Sequence, residues 1–322
     1  MTPRVLVDPT DMHNIAESIL EMDAFVAVIV TFHPDIMVLT RQATALGELA
    51  AVVIVDNGST VAEVDGLRAL ASGTTGRIFL VEAGRNLGLA GGLNLGVAEA
   101  KRYVPNSSAV LLLDQDSEFF DDVPGKLLAR LNQVQAENGT ACCVGPSMDD
   151  ISTGMSHGFH HIVGGWRWAR AYPTSMGDLP MSVANLNGSG TTMPLALYEL
   201  LGGMDADLFI DHVDTEWSFR VLAAGGLLFG DPTVSFTHRM GEAGRRIWLL
   251  GWRVWPERSP LRHQFLYRNT LRLLRRPYVP RVWKCWALAK MIVTFFITLA
   301  IDSRRGAQVR AMRTGVVEGW RR

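Results

Sequence analysis

Two carboxylates directly follow an apolar run near the middle of the chain. Residues 110–113 are all apolar, and Asp114 and Asp116 come next in the segment LLLDQDSEFF. In an extended backbone, side chains two residues apart point to the same side, so both carboxylates are expected to converge just beyond a sheet edge. Such oxygen ligands suit a hard divalent cation, and a divalent cation suits a diphosphate. The alternative is that Asp and Ser only end the strand, as they do in turns.

A second acidic cluster lies in FIDHVDTEWSFR, residues 209–220. Its polar members are Asp211, His212, Asp214 and Glu216. Carboxylates this close raise each other's pKa unless a cation or substrate is near, and a raised pKa is what a general base requires. The alternative is an ordinary helix start, where acidic residues cap the helix and offset its dipole.

Two weaker signals accompany these clusters. The segment RNLGLAGGLNLG, residues 85–96, contains Gly88 but lacks the spacing of a dinucleotide-binding fingerprint. It predicts either a helix start near a phosphate or a helix packed closely on a sheet. His238 ends the apolar run in VSFTHRMG. A single histidine there is ordinarily a surface residue unless a metal site includes it.

The chain pattern places these residues on an α/β fold. Apolar runs at 25–31, 51–57, 77–83 and 109–116 lack alternation, which is typical of strands buried on both faces. Helical periodicity occupies the segments 35–49, 60–71 and 90–102 between them. The order predicts a mostly parallel sheet flanked by helices, with ligands bound beyond the carboxyl ends of its strands. The polar residues expected on that rim are Thr31, Asp56, Asn57, Asn86, Asp114 and Asp116.

Composition predicts an intracellular globular protein. The chain has 322 residues, 48% of them hydrophobic, which is enough for a full core. Its three cysteines, Cys142, Cys143 and Cys285, support neither a disulfide framework nor a zinc cluster and fit a reducing setting. The first 20 residues lack a basic segment followed by a long apolar core, so we expect no secretory signal.

The net charge of −1 hides a strong division along the chain. Residues 1–238 contain 12 Lys and Arg against 28 Asp and Glu, whereas residues 239–322 contain 19 against 4. This asymmetry predicts an acidic body and a basic region that faces an anionic partner, either nucleic acid or a membrane. No nucleic-acid motif accompanies the basic residues, so we expect no nucleic-acid partner.

The basic region also contains six of the nine tryptophans and the apolar segment WALAKMIVTFFITLAI at 286–301. Its 16 residues fall short of the roughly 20 needed to span a bilayer. The pattern favours a helix lying in the membrane interface, with a buried core helix as the alternative.

Six motifs in order resemble those of the family 2 inverting glycosyltransferases with the GT-A fold, over roughly residues 24–240. They are VDNGS, RNLGLAGGLNLG, LLLDQDS, NGSGTTMPLALYELLGGMDADLFID, HVDTEWSFR and THRMG. LLLDQDS and LFIDHVDTEWSFR are most similar to those of bacterial rhamnosyltransferases, in particular those that add the second rhamnose in rhamnolipid synthesis. The resemblance implies a GT-A nucleotide-sugar-binding and catalytic domain at 1–240. Residues 241–322 would then be a basic, Trp-rich helical region for membrane and acceptor.

Carried over by position, the resemblance implies a role for each motif residue. The nucleotide-sugar site would include Thr31, Phe32, Asp56, Asn86, Gly88, Asp114 and Gly190. Of these, Asp56 would hydrogen-bond the pyrimidine, and the loop 186–193 around Gly190 would lie beside the acceptor, with a plain turn as the alternative. Asp116 and His238 would bind Mg²⁺ or Mn²⁺.

The catalytic base implied by the resemblance is Asp214, counted back from Arg220. Val213 stands where the family usually has an acid, which leaves Asp211 as a second candidate. The implied reaction is inverting transfer of L-rhamnose from dTDP-L-rhamnose to a hydroxyl of an amphiphilic glycolipid, converting mono-rhamnolipid to di-rhamnolipid.

Two alternatives remain open from the sequence. One is a transferase of O-antigen or another cell-surface polysaccharide, and the other is a catalytically silent sugar-nucleotide or glycan-binding module. The expected location is peripheral, on the anionic cytoplasmic face of the bacterial inner membrane. The sequence does not define the oligomeric state.

Overall fold

A computed structural model describes residues 7–17, 25–73, 76–119, 122–150, 155–156, 158–172, 179–238, 245–248, 252–255 and 257–321. The helices within these ranges are α1 Pro9–Glu17, α2 Ile36–Leu49, α3 Val61–Ser72, α4 Gly88–Tyr103, α5 Val123–Asn138, α6 Leu195–Leu200, α7 Val213–Ala223, α8 Pro260–Leu274, α9 Arg281–Ile301 and α10 Arg305–Trp320. The strands are β1 Phe25–Thr31, β2 Ala51–Asp56, β3 Ile78–Glu82, β4 Ala109–Asp114, β5 Ser117–Phe119, β6 Cys142–Asp150, β7 Met155–Ser156, β8 Phe159–Val163, β9 Arg167–Ala171, β10 Met181–Ser182, β11 Thr192–Pro194, β12 Leu227–His238, β13 Arg245–Trp248 and β14 Trp252–Trp255.

The central sheet is mixed and mostly parallel in its first half. Its strand order is β10-β12-β6-β11-β4-β1-β2-β3, with β5 paired to β12 and β7 to β6. Strands β1 to β4 pair in parallel, and β11 joins them antiparallel to β4. Two separate hairpins, β8–β9 and β13–β14, complete the strands that the structure describes. The α/β class and the flanking helices predicted from the sequence are confirmed.

The first four strands form where the apolar runs predicted them. All seven residues of β1 are buried, and β4 is buried up to its last residue. Such strands need apolar side chains on both faces because helices cover both sides of the sheet. The helices predicted at 35–49, 60–71 and 90–102 are α2, α3 and α4, each shifted by one or two residues at its ends.

Local capping explains where several helices begin. Asp35 precedes α2, and its carboxylate accepts the N–H groups of Met37 and Val38 at 3.0 and 3.2 Å. Thr60 and Glu63 form a capping box at the start of α3. These side chains satisfy the backbone donors that the first turn leaves unpaired.

The glycine-rich start of α4 packs directly on the sheet. A Cβ at Gly92 would lie 2.7 Å from Val30, and one at Gly96 would lie 2.4 Å from Val28. Only glycine permits so close an approach of helix and strand. Close helix-on-sheet packing, one of the two interpretations of this segment, therefore accounts for these two glycines.

Helices α8 and α9 share the core with the central sheet. Trp283 is 2% exposed and contacts Phe219 with ring centroids 5.4 Å apart. Leu273, Val279 and Ala287 belong to the same continuous cluster of buried apolar residues. The division into domains at residue 240 stays a prediction.

Helix α9 corrects the interpretation of the apolar segment. The helix begins at Arg281 and contains 21 residues, so the prediction that it is too short to cross a membrane was wrong. By length and composition the helix is long enough to cross a membrane. Only 17% of its most apolar 18-residue stretch is buried in the protein. Because Leu288, Ile292, Val293 and Phe296 are exposed, it is also not a buried core helix. One face packs on the body, and the opposite face is apolar and open.

Candidate active site

The strand ends on the predicted rim do meet. The pairing register places Thr31 beside Asp56, and Val30 beside Asp114. Thr31 and Asp56 are buried, whereas Phe32, the next residue after β1, is 44% exposed. Parallel strands bring their carboxyl ends to one edge, which is where open α/β sheets bind ligands. The nucleotide-sugar roles of these residues stay predictions.

The two carboxylates after β4 are arranged differently from the expectation. Asp114 is the last residue of the strand, but Asp116 lies in the turn before β5. The alternation argument therefore fails for this pair, because it holds only in an extended backbone. Gln115 fixes the turn, since its amide accepts the N–H of Phe32 at 2.8 Å and donates to the carbonyl of Phe32 at 3.3 Å.

The loop after β2 is braced by side-chain amides and carboxylates. Asp56 accepts the N–H groups of Gly58 and Ser59 at 3.3 and 3.1 Å. Asn57 accepts the N–H of Leu87 at 2.7 Å and donates to the carbonyl of Gly88 at 3.1 Å. A carboxylate has about four lone-pair sites, so Asp56 keeps acceptor capacity for a ligand after these two bonds.

Gly88 is required by its backbone and its neighbour. Its φ is +75°, and a Cβ there would lie 2.5 Å from the ring of Phe209. The N–H of Ala90 also donates to the carbonyl of Phe209 at 3.3 Å. The glycine-rich segment therefore contacts the acidic cluster as well as the sheet.

The backbone brings the two predicted metal ligands together. His238 pairs with Ser117 in the β12–β5 register, one residue beyond Asp116. The side chain of His238 lies outside the described residues. Among the described residues, no group of three His, Cys, Asp or Glu side chains could hold a metal ion. Metal binding by Asp116 and His238 stays a prediction, and the strand register is consistent with it.

The acidic cluster sits on an unusual backbone. Phe209, Asp211 and His212 each have a φ of +63°, although none is glycine. A non-glycine residue in this region costs about 1–3 kcal/mol and persists where the surrounding structure enforces it. Here Asn269 donates to the carbonyls of Leu208, Ile210 and Asp211, at 2.8 to 2.9 Å. Strained segments of this kind concentrate at functional sites.

Asp211 is neutralised by two arginines. Arg262 donates to both of its carboxylate oxygens at 2.8 and 2.7 Å, and Arg258 donates to one at 3.1 Å. Burial raises the pKa of Asp211, but Arg262 first and then Arg258 more than offset this, so the net pKa is lowered. A strongly paired carboxylate of lowered pKa is a poor general base. Of the two candidates, the structure favours Asp214.

Asp214 is the acid of this cluster with a raised pKa. Burial raises the pKa of its carboxyl group, and the bonds from Thr215 and Gly188 only partly offset that effect. One carboxylate oxygen accepts the N–H of Thr215 at 2.7 Å. Within the described part of the chain, no Lys or Arg forms an ion pair with it. The loop predicted beside the acceptor is adjacent, since a Cβ at Gly188 would lie 3.7 Å from Asp214.

Glu216 is structural. It is 1% exposed, and its carboxylate accepts hydrogen bonds from Nε and Nη2 of Arg220 at 3.0 and 2.7 Å. Arg276 lies 2.9 Å from the same carboxylate, and the hydroxyl of Tyr278 donates to it. This network joins α7 to the segment after α8.

His212 is held neutral. Burial lowers its pKa to about 4, because Asp211 only partly offsets the loss of solvation. Its Nε2 lies 3.0 Å from the hydroxyl of Thr270, and its ring packs edge-on against Trp283. His212 therefore packs between the acidic cluster and the C-terminal helices.

The C-terminal basic region supplies much of the counter-charge for the acidic cluster. Five of its arginines bind carboxylates or carbonyls of residues 205–216; they are Arg258, Arg262, Arg268, Arg272 and Arg276. Part of the positive charge of residues 239–322 is thus paired inside the molecule, whereas the sequence pattern predicted an external anion.

Several residues of the site were not predicted from the sequence. Ser189 accepts the N–H of Asp114 at 3.1 Å and bonds the hydroxyl of Ser117 at 2.6 Å, which joins the acceptor loop to the β4–β5 turn. Gln115 lies between the two carboxylates in sequence, and no sequence pattern indicated that it would bond Phe32. Arg258 and Arg262 on Asp211, and Arg276 on Glu216, lie more than 40 residues away in sequence, and only the high density of arginines in the C-terminal region indicated internal partners.

Similarity to known proteins defines the class of this protein, a glycosyltransferase. The profile of glycosyl transferase family 2 matches residues 39–188, and the chain belongs to that family. Its sheet and helices form the GT-A type of fold.

Three similar proteins illustrate this. The dTDP-rhamnosyl transferase RfbF of Shigella flexneri is 31% identical over 257 residues, which is 79% of this chain and 81% of that protein. The mannosyltransferase PcManGT from Pyrobaculum calidifontis, solved with GDP-Man and Mn²⁺, aligns over 97% of this chain and 91% of its own, with a TM-score of 0.52 and 16% identity. S. aureus TarS aligns with a TM-score of 0.51 and 13% identity over 92% of this chain, which spans only 49% of TarS.

Proposed function

We propose that the protein is an inverting rhamnosyltransferase that moves L-rhamnose from dTDP-L-rhamnose to a hydroxyl group of mono-rhamnolipid. The family and the dTDP-rhamnosyl transferase relative support the reaction and the donor. The observation that carries the proposal is Asp214, a half-buried carboxylate of raised pKa beside the loop 186–193. A base placed there is of use to an enzyme, whereas a silent binding module has no need of it.

The chain's own residues suggest how the steps are divided. Asp214 would remove the proton of the acceptor hydroxyl while its oxygen attacks the anomeric carbon from the face opposite the leaving diphosphate, which inverts the configuration. Thr31, Asp56 and Asp114 would position the donor at the strand ends, and Phe32 would cover the nucleotide. Asp116 and His238 would hold Mg²⁺ or Mn²⁺, which when bound offsets the charge that develops on the diphosphate.

A donor-and-acceptor assay tests the reaction. We expect the purified protein with Mg²⁺ to add one deoxyhexose to mono-rhamnolipid when given dTDP-L-rhamnose, and we expect no product from GDP-mannose or UDP-glucose. Mass spectrometry of the products identifies both substrates. A rhamnosylated lipid-linked polysaccharide precursor in place of di-rhamnolipid would refute the proposed acceptor and keep the reaction. Binding of dTDP-L-rhamnose without turnover on any acceptor would refute the enzyme.

We also propose peripheral attachment to the anionic cytoplasmic face of the inner membrane through the exposed face of α9. Ile292 is 51% exposed and Phe296 is 63% exposed on that face. The opposite face packs on the body through Trp283, and the Tyr267 hydroxyl bonds the carbonyl of Met291 at 2.7 Å. A helix fixed to the body on one side lies along an interface more readily than across a bilayer. Arg281, Lys284, Arg304 and Arg305 flank the helix ends and suit anionic headgroups.

Flotation with anionic vesicles tests the attachment. We expect Phe296→Asp to lower the vesicle-bound fraction about tenfold, since it removes one apolar anchor and adds repulsion. Val61→Asp, at an exposed apolar residue on α3, should leave flotation unchanged and serves as the control. High salt should weaken binding of the wild type. A protein that stays soluble at low salt with anionic vesicles present would contradict the attachment.

A further inference from the structure

A patch of cations and aromatic rings joins the β8–β9 hairpin to α9. The ammonium of Lys290 lies 4.7 Å from the centre of the Trp286 ring, and Trp286 lies 6.0 Å from Trp168. Trp168 stacks on His160 at 5.2 Å, and Arg170 donates to His160 at 2.9 Å. These contacts place Lys290 and Arg170, which are 120 residues apart in sequence, around the same rings. We call Arg170, Arg258 and Lys290 the cationic patch.

Asp211 is the described carboxylate that acts on both Arg258 and Lys290 of the cationic patch, and it is shared with Arg262. Among the described residues, no acidic side chain lies within ion-pair distance of Lys290 or Arg170. Arg258 binds Asp211 at 3.1 Å, but Arg262 already holds both oxygens of that carboxylate. Loss of solvation lowers the pKa of Lys290, the nearby charges of Arg258 and Arg170 lower it further, and Asp211 opposes them only in part. Neighbouring cations that repel one another are stabilised when an anion binds between them.

The patch adjoins the proposed base. Asp211 contacts Arg258 and lies three residues before Asp214, and its charge contributes to the raised pKa of Asp214. The donor rim, by contrast, is formed by the ends of β1, β2 and β4. An anion on the patch would therefore lie near the attacking hydroxyl, on the α9 side of the base.

The surface beyond the patch is apolar. Ile292, Val293 and Phe296 follow Lys290 along α9 and are 42 to 63% exposed. An amphiphilic molecule with a charged group close to its sugar would fit these surfaces in order. Its sugar would lie at Asp214, its charged group at the cationic patch and its apolar part on the exposed face of α9.

Resting on the proposed function, we infer that the acceptor carries an anionic group next to the sugar that is extended, and that Lys290, Arg258 and Arg170 bind this group. Two chemistries supply such a group on a glycolipid, a carboxylate of the lipid's acid part that lies near the sugar and a diphosphate that joins sugar to lipid. Both accept charge-assisted hydrogen bonds from Lys and Arg.

Equilibrium binding without the donor tests this inference apart from turnover. The probes are a short-chain mono-rhamnolipid, its uncharged methyl ester and a short-chain prenyl diphosphate rhamnoside, each titrated by calorimetry. We expect the wild type to bind one charged probe at least about tenfold more tightly than the ester. Lys290→Gln should remove that preference and leave the affinity for the ester and for dTDP unchanged. The charged probe that binds more tightly identifies the source of the anion.

The control is Lys126→Gln, the same substitution at an exposed lysine on α5, which should bind every probe as the wild type does. Equal affinities for charged and uncharged probes would overturn the inference. So would a Lys290→Gln variant that loses affinity for all probes equally, or one that loses affinity for dTDP. A failure of sugar transfer in the donor assay would refute the proposed function without changing these binding results.

Discussion

Replacing Asp214 by asparagine is expected to lower the turnover number about 10³-fold, within the range that a general base contributes. Asparagine keeps the shape of the side chain but cannot take the proton from the acceptor hydroxyl. The affinity for dTDP should stay within about twofold of the wild type, because Asp214 is proposed to act on the acceptor hydroxyl and not on the nucleotide. Initial rates with saturating donor and acceptor, together with calorimetric titration of dTDP, measure both quantities.

The same variant should be more stable than the wild type. The folded-state pKa of Asp214 is raised above its ordinary value of 3.8, so ionisation of this carboxyl group costs free energy of folding once the pH exceeds that value. The Asp214→Asn substitution would remove that cost at neutral pH, and the difference in melting temperature should disappear as the pH falls below the ordinary pKa of Asp. A melting temperature below that of the wild type would mean that activity was lost through unfolding. Asp207→Asn, an exposed acid seven residues upstream, controls for a general effect of charge and should retain activity.

Replacing Arg276 by methionine should lower the free energy of unfolding by about 2–3 kcal/mol, the cost of removing a charged hydrogen-bond partner from a buried acid. Glu216 is 1% exposed and would keep Arg220 and Tyr278, while Asp205 would lose its bond to Arg276. Methionine preserves most of the apolar packing, so the loss reports the charge network.

Chemical denaturation of Arg276→Met against Arg275→Met measures this effect. Arg275 stacks on Trp320 and bonds its carbonyl at the surface, and its loss should cost less than about 1 kcal/mol. Equal effects of the two substitutions would show that the network around Glu216 does not hold α7 in place. A double-mutant cycle with Glu216→Gln isolates the pairwise coupling.

The sequence predicted the sheet well because its signal is local. Each run such as residues 25–31 is apolar on both faces. A strand of this kind is stable in the interior of a sheet that helices cover on both sides. The α9 helix was misjudged because Lys284 and Cys285 interrupt the apolar run, although Pro280 directly before Arg281 is a signal for a helix start. Counting apolar residues alone therefore shortened the helix.

The site was predicted only in part, because its decisive contacts are long-range. Asp211 and Asp214 are alike in sequence, and they differ only in the arginines that the fold brings to Asp211 from α8 and the residues before it. The turn at Gln115 and the positive φ values near His212 likewise depend on partners that no local pattern reveals. Residue type and spacing identified the acids, and the tertiary packing distinguishes them.

The arginines that reach back to residues 205–216 make the C-terminal helices an inseparable part of the enzyme. Any chimaera that exchanges these helices with those of another family member must carry the 205–216 segment with them, or carboxylates such as Asp211 would be buried without their counter-ions. The C-terminal helices and the segment that contains the proposed base, Asp214, would for the same reason be inherited together. A change in these helices therefore has to be compatible with the charge balance of residues 205–216.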